Sequence, residues 1–210
     1  MSDYNRDQLE AIRMVRRFRE GLSPSAHVAF TRRVNSYLEF RTDVTRFQQK
    51  AFAEVCTQKC FAGQDSACCN REGIATFFAD VVINTLVSSE DEVDALLRVL
   101  AEDRGGHKCV YLSGNGCLWR LKPIVCEMFL CEHAKERGFA GDAALTEKWE
   151  ELRSKEKQYT WPDRPVLFDE VEALFIQSGY ESPLMYFHRS PGLLRIKARS
   201  RQERSIGSAS

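Results

Sequence analysis

Apolar positions recur at three- and four-residue steps along most of the chain, the spacing of amphipathic helices. Leu9, Ile12, Val15 and Phe18 mark a first helix that Gly21 stops. Ser23 and Pro24 form an N-cap and first-turn pair. They open a long helix carrying Phe30, Val34, Tyr37, Val44, Phe47, Ala51 and Val55 on one face and running directly into Cys56. Ile74, Phe77, Phe78, Val81, Val82, Thr85 and Leu86 predict a third helix. Ser89 with Glu92 is a capping-box pattern, opening a helix with Val93, Leu96, Leu97 and Leu100 that ends near Gly105-Gly106. The pattern then changes. Cys109-Val-Tyr-Leu, Ser113-Gly-Asn-Gly116 and Cys117-Leu-Trp-Arg read as a short hairpin, its turn permitting positive φ.

Lys122-Pro123 starts a further helix that holds Ile124, Val125, Met128 and Phe129 and stops near Gly138. Asp142 caps a charged helix with Leu145, Trp149 and Leu152, and a Trp161–Pro165 linker follows it. A last helix carries Phe168, Val171, Leu174 and Phe175, with Gly179 as its stop. No internal repeat is present. The expected fold is mainly α: a multi-helix domain with a short β-hairpin and a cysteine-lined metal site. Residues 1–55 read as an N-terminal helical arm and 56–138 as a cysteine-cluster core. Residues 139–194 read as C-terminal helices packing on that core, and 195–210 as a disordered basic tail.

Composition narrows the classes. A chain of 210 residues with 43% hydrophobic content can bury a core as one domain with arms. Lysine plus arginine and aspartate plus glutamate number 30 each, so net charge gives no argument for nucleic acid as a partner. The stretch from Arg195 holds five basic residues that could contact phosphate, but it lacks an apolar pattern and reads as a solvated tail. The polar first residues do not read as a secretion signal. The longest apolar run, Phe77 to Val82, is broken by Asp80 and is far short of a membrane span. The protein is expected to be cytoplasmic, with no membrane partner.

That compartment gives the cysteines their meaning. All eight fall between residues 56 and 131, in two groups: Cys56, Cys60, Cys68 and Cys69, then Cys109, Cys117, Cys126 and Cys131. In a reducing compartment clustered cysteines bind metal more often than they form disulfides. Thiolate is a soft ligand that suits zinc and iron–sulfur clusters, each of which takes about four protein ligands. Eight thiols exceed one tetrahedral site: two zinc sites would use all of them, and one four-iron cluster would leave about four over. Neighbours such as Cys68 and Cys69 reach one small ion poorly, which favours a cluster of several iron atoms. An iron–sulfur cluster of the 4Fe–4S type is therefore the expected cofactor, with zinc as the alternative. His107 and His133 flank the second group; either could replace a cysteine as ligand, but both read first as surface histidines beside the site. Unconnected buried thiols and a disulfide framework are the competing readings.

The segment Cys117-Leu-Trp-Arg-Leu-Lys-Pro-Ile-Val-Cys126-Glu resembles the second motif of the YkgJ-type cysteine-cluster proteins, the CxxCxxCC family described as zinc- or iron-chelating. Pro123 and Cys126 match outright, and Leu118, Trp119 and Lys122 stand for Ile, Tyr and Arg. Cys109-Val-Tyr-Leu with Asn115-Gly116, and Ser66-Ala67-Cys68-Cys69, are similar to other family segments. The family's C-x-x-C-x-x-C-C is opened here to C-x3-C-x7-C-C. Glu127 stands where arginine is usual, and Cys131 has no firm counterpart. The resemblance covers residues 56–131 and implies metal chelation. The candidate ligands are Cys60, Cys68, Cys69, Cys109, Cys117 and Cys126, with Cys56 and Cys131 as further candidates.

Three functions follow as expectations. The first is an iron–sulfur or iron-binding protein in redox, electron delivery or metal handling. The second is a zinc-stabilised helical module that binds a protein partner. The third is a methylase-like enzyme, since flagellin lysine methylases look similar in their cysteine motif. The chain shows no glycine-rich nucleotide fingerprint and no acid–base constellation: Asp169, Glu170 and Glu172 suit a helix dipole.

Overall fold

A computed structural model describes residues 2–71, 74–102, 106–160 and 165–185. The tail expected from residue 195, and residues 161–164 of the expected linker, lie outside these. Among the described residues there are eight α-helices, one π-helix and a two-stranded antiparallel sheet. The chain is thus mainly helical with a small hairpin.

Helix α1 (Asp3–Glu20) begins where the Ser2 hydroxyl accepts the Asn5 N–H at 3.2 Å. Its inner face carries Leu9, Ile12 and Val15, with Asn5 and Gln8 buried beside them. Both polar groups are answered: Asn5 donates to the Leu100 carbonyl, and Gln8 bonds Thr76 and the Tyr111 hydroxyl. Helix α2 (Pro24–Phe52) starts at the Ser23 cap. The expected run into Cys56 is helical but changes type. At Phe52 the backbone leaves the α-helix, and Ala53–Phe61 form a π-helix that buries none of its residues. The Phe52 ring fixes this junction between Phe47, Phe139 and Trp149.

Helix α3 (Phe78–Val87) starts four residues later than the apolar pattern predicts. The Asp80 carboxylate accepts the Phe77 N–H at 3.1 Å and sets the start there, leaving Ile74–Phe77 outside the helix. Residues 78–85 are all buried, so α3 is the central helix. Helix α4 (Glu90–Ala101) has the expected capping box, with Ser89 and Glu92 bonding each other's backbone. Both α3 and α4 pack on α1. Strands β1 (Leu112–Ser113) and β2 (Gly116–Cys117) pair as expected, with Gly116 at φ +105° closing the turn.

The single helix expected from Pro123 to Gly138 is two. One turn, α5 (Ile124–Glu127), is followed by a break, and α6 (Glu132–Phe139) restarts from Cys131 in extended conformation. The Glu127 carbonyl, which a continuous helix would offer to Cys131, accepts the Gln48 side-chain amide of α2 instead. Helix α7 (Ala143–Thr160) has the expected Asp142 cap. Helix α8 (Leu167–Gln177) ends in a Schellman motif: Tyr180 N–H reaches the Phe175 carbonyl and Gly179 N–H the Ile176 carbonyl, with Gly179 at φ +79°.

The helices enclose one continuous core. Trp149 stacks on Phe47; Phe18, Phe78 and Phe175 interlock; Tyr37 meets Phe40, Tyr159 and Phe168. Each such ring pair adds about 0.5–1.5 kcal/mol beyond the area it buries. Residue 138 must be small, because a Cβ there would strike the Phe52 ring. That close approach seats α6 against α2 and the π-helix.

Candidate metal centre

All eight cysteines carry free thiols; Cys68 and Cys126 are exposed and the other six half-buried. They come from four short pieces of irregular or strained chain held by the regular helices. The π-helix presents Cys56 and Cys60. The chain then folds back on itself, Asp65 N–H and Ser66 N–H both reaching the Cys60 carbonyl at 3.0 and 3.1 Å. A turn closed by Cys69 N–H on Ser66 O at 2.9 Å holds Cys68 and Cys69. Next to it Cys109 N–H donates to the Cys69 carbonyl at 3.0 Å, beside the antiparallel bridge of Asn70 with Lys108. The hairpin brings Cys117 opposite Leu112. Cys126 lies in α5 and Cys131 caps α6. The two cysteine groups of the sequence are therefore stitched together by backbone bonds rather than held apart.

The α5 turn is clamped from two sides. On α3, Asp80 accepts the Ile124 N–H at 3.1 Å and Asn84 accepts the Leu121 N–H at 2.9 Å. On α2, the buried Arg41 donates to the Lys122 carbonyl at 2.6 Å and to the Tyr37 hydroxyl at 2.8 Å, and pairs with the buried Glu127 at 3.5 Å. Glu127, which departs from the resembled motif, is thus the partner of a buried arginine. Apolar packing could not fix this turn so closely, since both clamps are directional and desolvated.

The electrostatics link all eight thiols. Burial, then Cys68, Cys131 and Cys60, raise the Cys56 thiol. The Cys68 thiol bonds Cys69, raising itself and lowering Cys69. Burial raises Cys109, with Cys126 adding to it. Burial pushes Cys117 and Cys126 each up to about 11. Backbone N–H groups oppose these rises: Tyr111 and Leu112 on Cys109, Trp119 on Cys117, Ala75 on Cys126. Nearby backbone N–H groups favour thiolate over thiol. Lys122 lowers Cys56, Cys68, Cys69 and Cys117 alike, a common cation beside the set.

The donor set fits a thiophilic metal in its chemistry: soft sulfur with one cation beside it. Among the described residues no group of three or more His, Cys, Asp or Glu side chains is arranged to hold an ion as it stands. His107 and His133 are exposed, as expected of surface histidines.

Sequence reasoning passed over Asp80, Arg41 and Asn84. A signal existed for Asp80, the one charge inside an apolar run. Burial raises its carboxyl to about 6, against the two N–H groups that favour the anion. A carboxyl raised from 3.8 to about 6 on folding adds stability below pH 4 that is lost as pH rises through 6. Asp80→Ala is therefore expected to cost about 2 kcal/mol more at pH 4 than at pH 7, by urea unfolding at both. An equal cost at both would show that Asp80 does not titrate there.

Among the described residues no helix is long and apolar enough to cross a membrane. The likeness of residues 56–131 to the YkgJ-type family rests on the motif residues alone, because no family model, no curated protein and no solved structure matches this chain.

Proposed function

We propose that this chain is a metal-binding protein that carries an iron–sulfur cluster on its cysteines and serves redox, electron delivery or metal handling. The observation that carries the reading is that eight free thiols lie on four chain segments, two of which are joined where Cys109 N–H donates to the Cys69 carbonyl at 3.0 Å. Neutral thiols alone gain little from such company, since burial and mutual repulsion disfavour their ionisation. A bound cation or cluster would replace those protons. Burying Arg41 with Glu127 is also costly for a turn whose only task is packing. The clamp makes sense as a support that orients Cys126. When bound, the cluster would supply one-electron chemistry. The protein's own residues would supply the thiolates and the positive charge of Lys122.

Anaerobic purification with an absorption spectrum and metal analysis tests this. The expected protein is brown, with thiolate-to-iron absorption and about four iron atoms per cluster. A colourless protein holding zinc would overturn the iron–sulfur assignment in favour of a zinc-stabilised module. A metal-free protein with the same circular dichroism and all thiols reactive would overturn metal binding altogether.

A further inference from the structure

We infer that the α5 turn is a docking surface for another protein, one that meets it with an apolar centre and an acidic rim. Such docking lies beyond the metal reading and does not need the thiols to be loaded.

Among the described residues three large apolar side chains are exposed: Val28, Val125 and Phe129, at 48%, 39% and 54%. Val28 is a single position on α2, and one exposed apolar residue needs no explanation. The other two lie within five residues of each other, on either side of the exposed Cys126. This stretch sorts into two sides. Ile124, Glu127 and Leu130 are buried, while Val125, Cys126 and Phe129 meet water.

The backbone beneath the patch is fixed by four side chains from other helices. Asn84 accepts the Leu121 N–H at 2.9 Å and Asp80 the Ile124 N–H at 3.1 Å. Arg41 donates to the Lys122 carbonyl at 2.6 Å, and Gln48 to the Glu127 carbonyl. The last of these ends α5 after one turn and leaves Phe129 just outside it. Two of the four, Arg41 and Asp80, are buried charged residues, a costly way to hold a turn at the surface. A backbone fixed in advance has little freedom left to lose on binding. Aromatic residues presented in this way are the usual anchors of protein interfaces.

The charge beside the patch selects the partner. Between Leu118 and Cys131 the charged residues are Arg120, Lys122 and Glu127. Glu127 is buried against Arg41, so the stretch shows water two cations and no anion. Arg120 pairs with Glu92 at 3.4 Å. Lys122, three residues before Val125, is 47% exposed. Among the described residues the one carboxylate it meets is Glu127 at 4.0 Å, which Arg41 already pairs at 3.5 Å. Its charge is left to be answered from outside, and a partner carboxylate beside an apolar group seated on Phe129 answers it. A second copy docking through the same face would bring two such cations together across a two-fold axis, which disfavours self-association there. One uncompensated lysine is too little to hold a nucleic-acid backbone.

The test uses the full chain in its native cell, with p-benzoyl-phenylalanine in place of Phe129 and, as the control, in place of Val28. The protein crosslinked from position 129 is identified by mass spectrometry, purified, and titrated with the pure chain by calorimetry. One partner should crosslink at 129 and not at 28, and its affinity should fall as salt rises. F129A should weaken it at least about tenfold, the scale of an interface anchor. K122Q should weaken it less and flatten the salt dependence. Both side chains are about half exposed, so the circular dichroism of each variant should match the wild type. Crosslinking to a second copy, to nucleic acid or to lipid would overturn the proposal. So would the absence of any product above the Val28 control, or an affinity indifferent to F129A or to salt. None of these outcomes bears on the metal reading, which absorption and metal analysis of the same protein decide.

Discussion

Replacing Arg41 by methionine is expected to lower stability by about 3–5 kcal/mol, the cost of breaking a buried ion pair from one side. Arg41 and Glu127 keep 2% and 6% of their side-chain surface, and their nearest atoms are 3.5 Å apart. Without the guanidinium, the Glu127 carboxylate retains only the Thr45 hydroxyl at 3.4 Å and the half-exposed Lys122 at 4.0 Å. The Lys122 carbonyl and the Tyr37 hydroxyl lose their donors as well. The double variant R41M/E127M should be less destabilised than R41M alone, since no buried charge is left uncompensated. Urea unfolding of the two single variants and the double variant gives the coupling directly. Additive costs, or a cost for R41M under about 0.5 kcal/mol as at an ordinary surface site, would mean that the pair does not hold the turn.

The helices were legible because their information is local. Caps at Ser2, Ser23, Ser89 and Asp142 and the stop at Gly179 act within a few residues, and the buried faces follow the 3.6-residue period. The failures occur where a distant residue decides. Nothing between 124 and 138 forbids a continuous helix; the break comes from Gln48, about 80 positions earlier, which takes the Glu127 carbonyl. The start of α3 moves because Asp80 spends one carboxylate oxygen on Phe77 and the other on Ile124. The π-helix has no composition that sets it apart from the α-helix it extends; the Phe52 ring, wedged beside Gly138 of a later helix, marks where it begins. At the site, spacing identified the eight cysteines, but grouping by sequence distance is a poor guide to grouping in space. The Cys69–Cys109 backbone bond spans 40 residues.

Chelating the metal is expected to open the cysteine region and leave the helical framework folded. The two parts are held by different means. Helices α1, α3, α4 and α8 share the buried core through Ile12, Ile83, Leu96 and Phe175, each at most 1% exposed. Such residues contribute about 1.5–3 kcal/mol apiece by burial alone. The hairpin segment is anchored by the buried Val110, Tyr111 and Trp119, whereas the π-helix buries none of its residues. Segments with so little buried surface open at low free-energy cost unless something binds the closed form. A metal held at a thousand times its dissociation constant adds about 4 kcal/mol to the closed form. Hydrogen exchange followed by mass spectrometry, with and without chelator, reads this directly. Amides in 53–71 should lose protection by roughly a thousandfold on chelation, those of 106–120 less because Val110, Tyr111 and Trp119 anchor that segment in the core, while those of α1, α3, α4 and α8 change little. Residues 121–127 should fall between, because Asp80, Asn84 and Arg41 hold that turn from the framework whether or not metal is bound. Uniform loss across the chain would mean that the metal is built into the fold as a whole. No change in 53–71 would mean that this segment is held by its own contacts, and the thiols would then need a task other than binding metal.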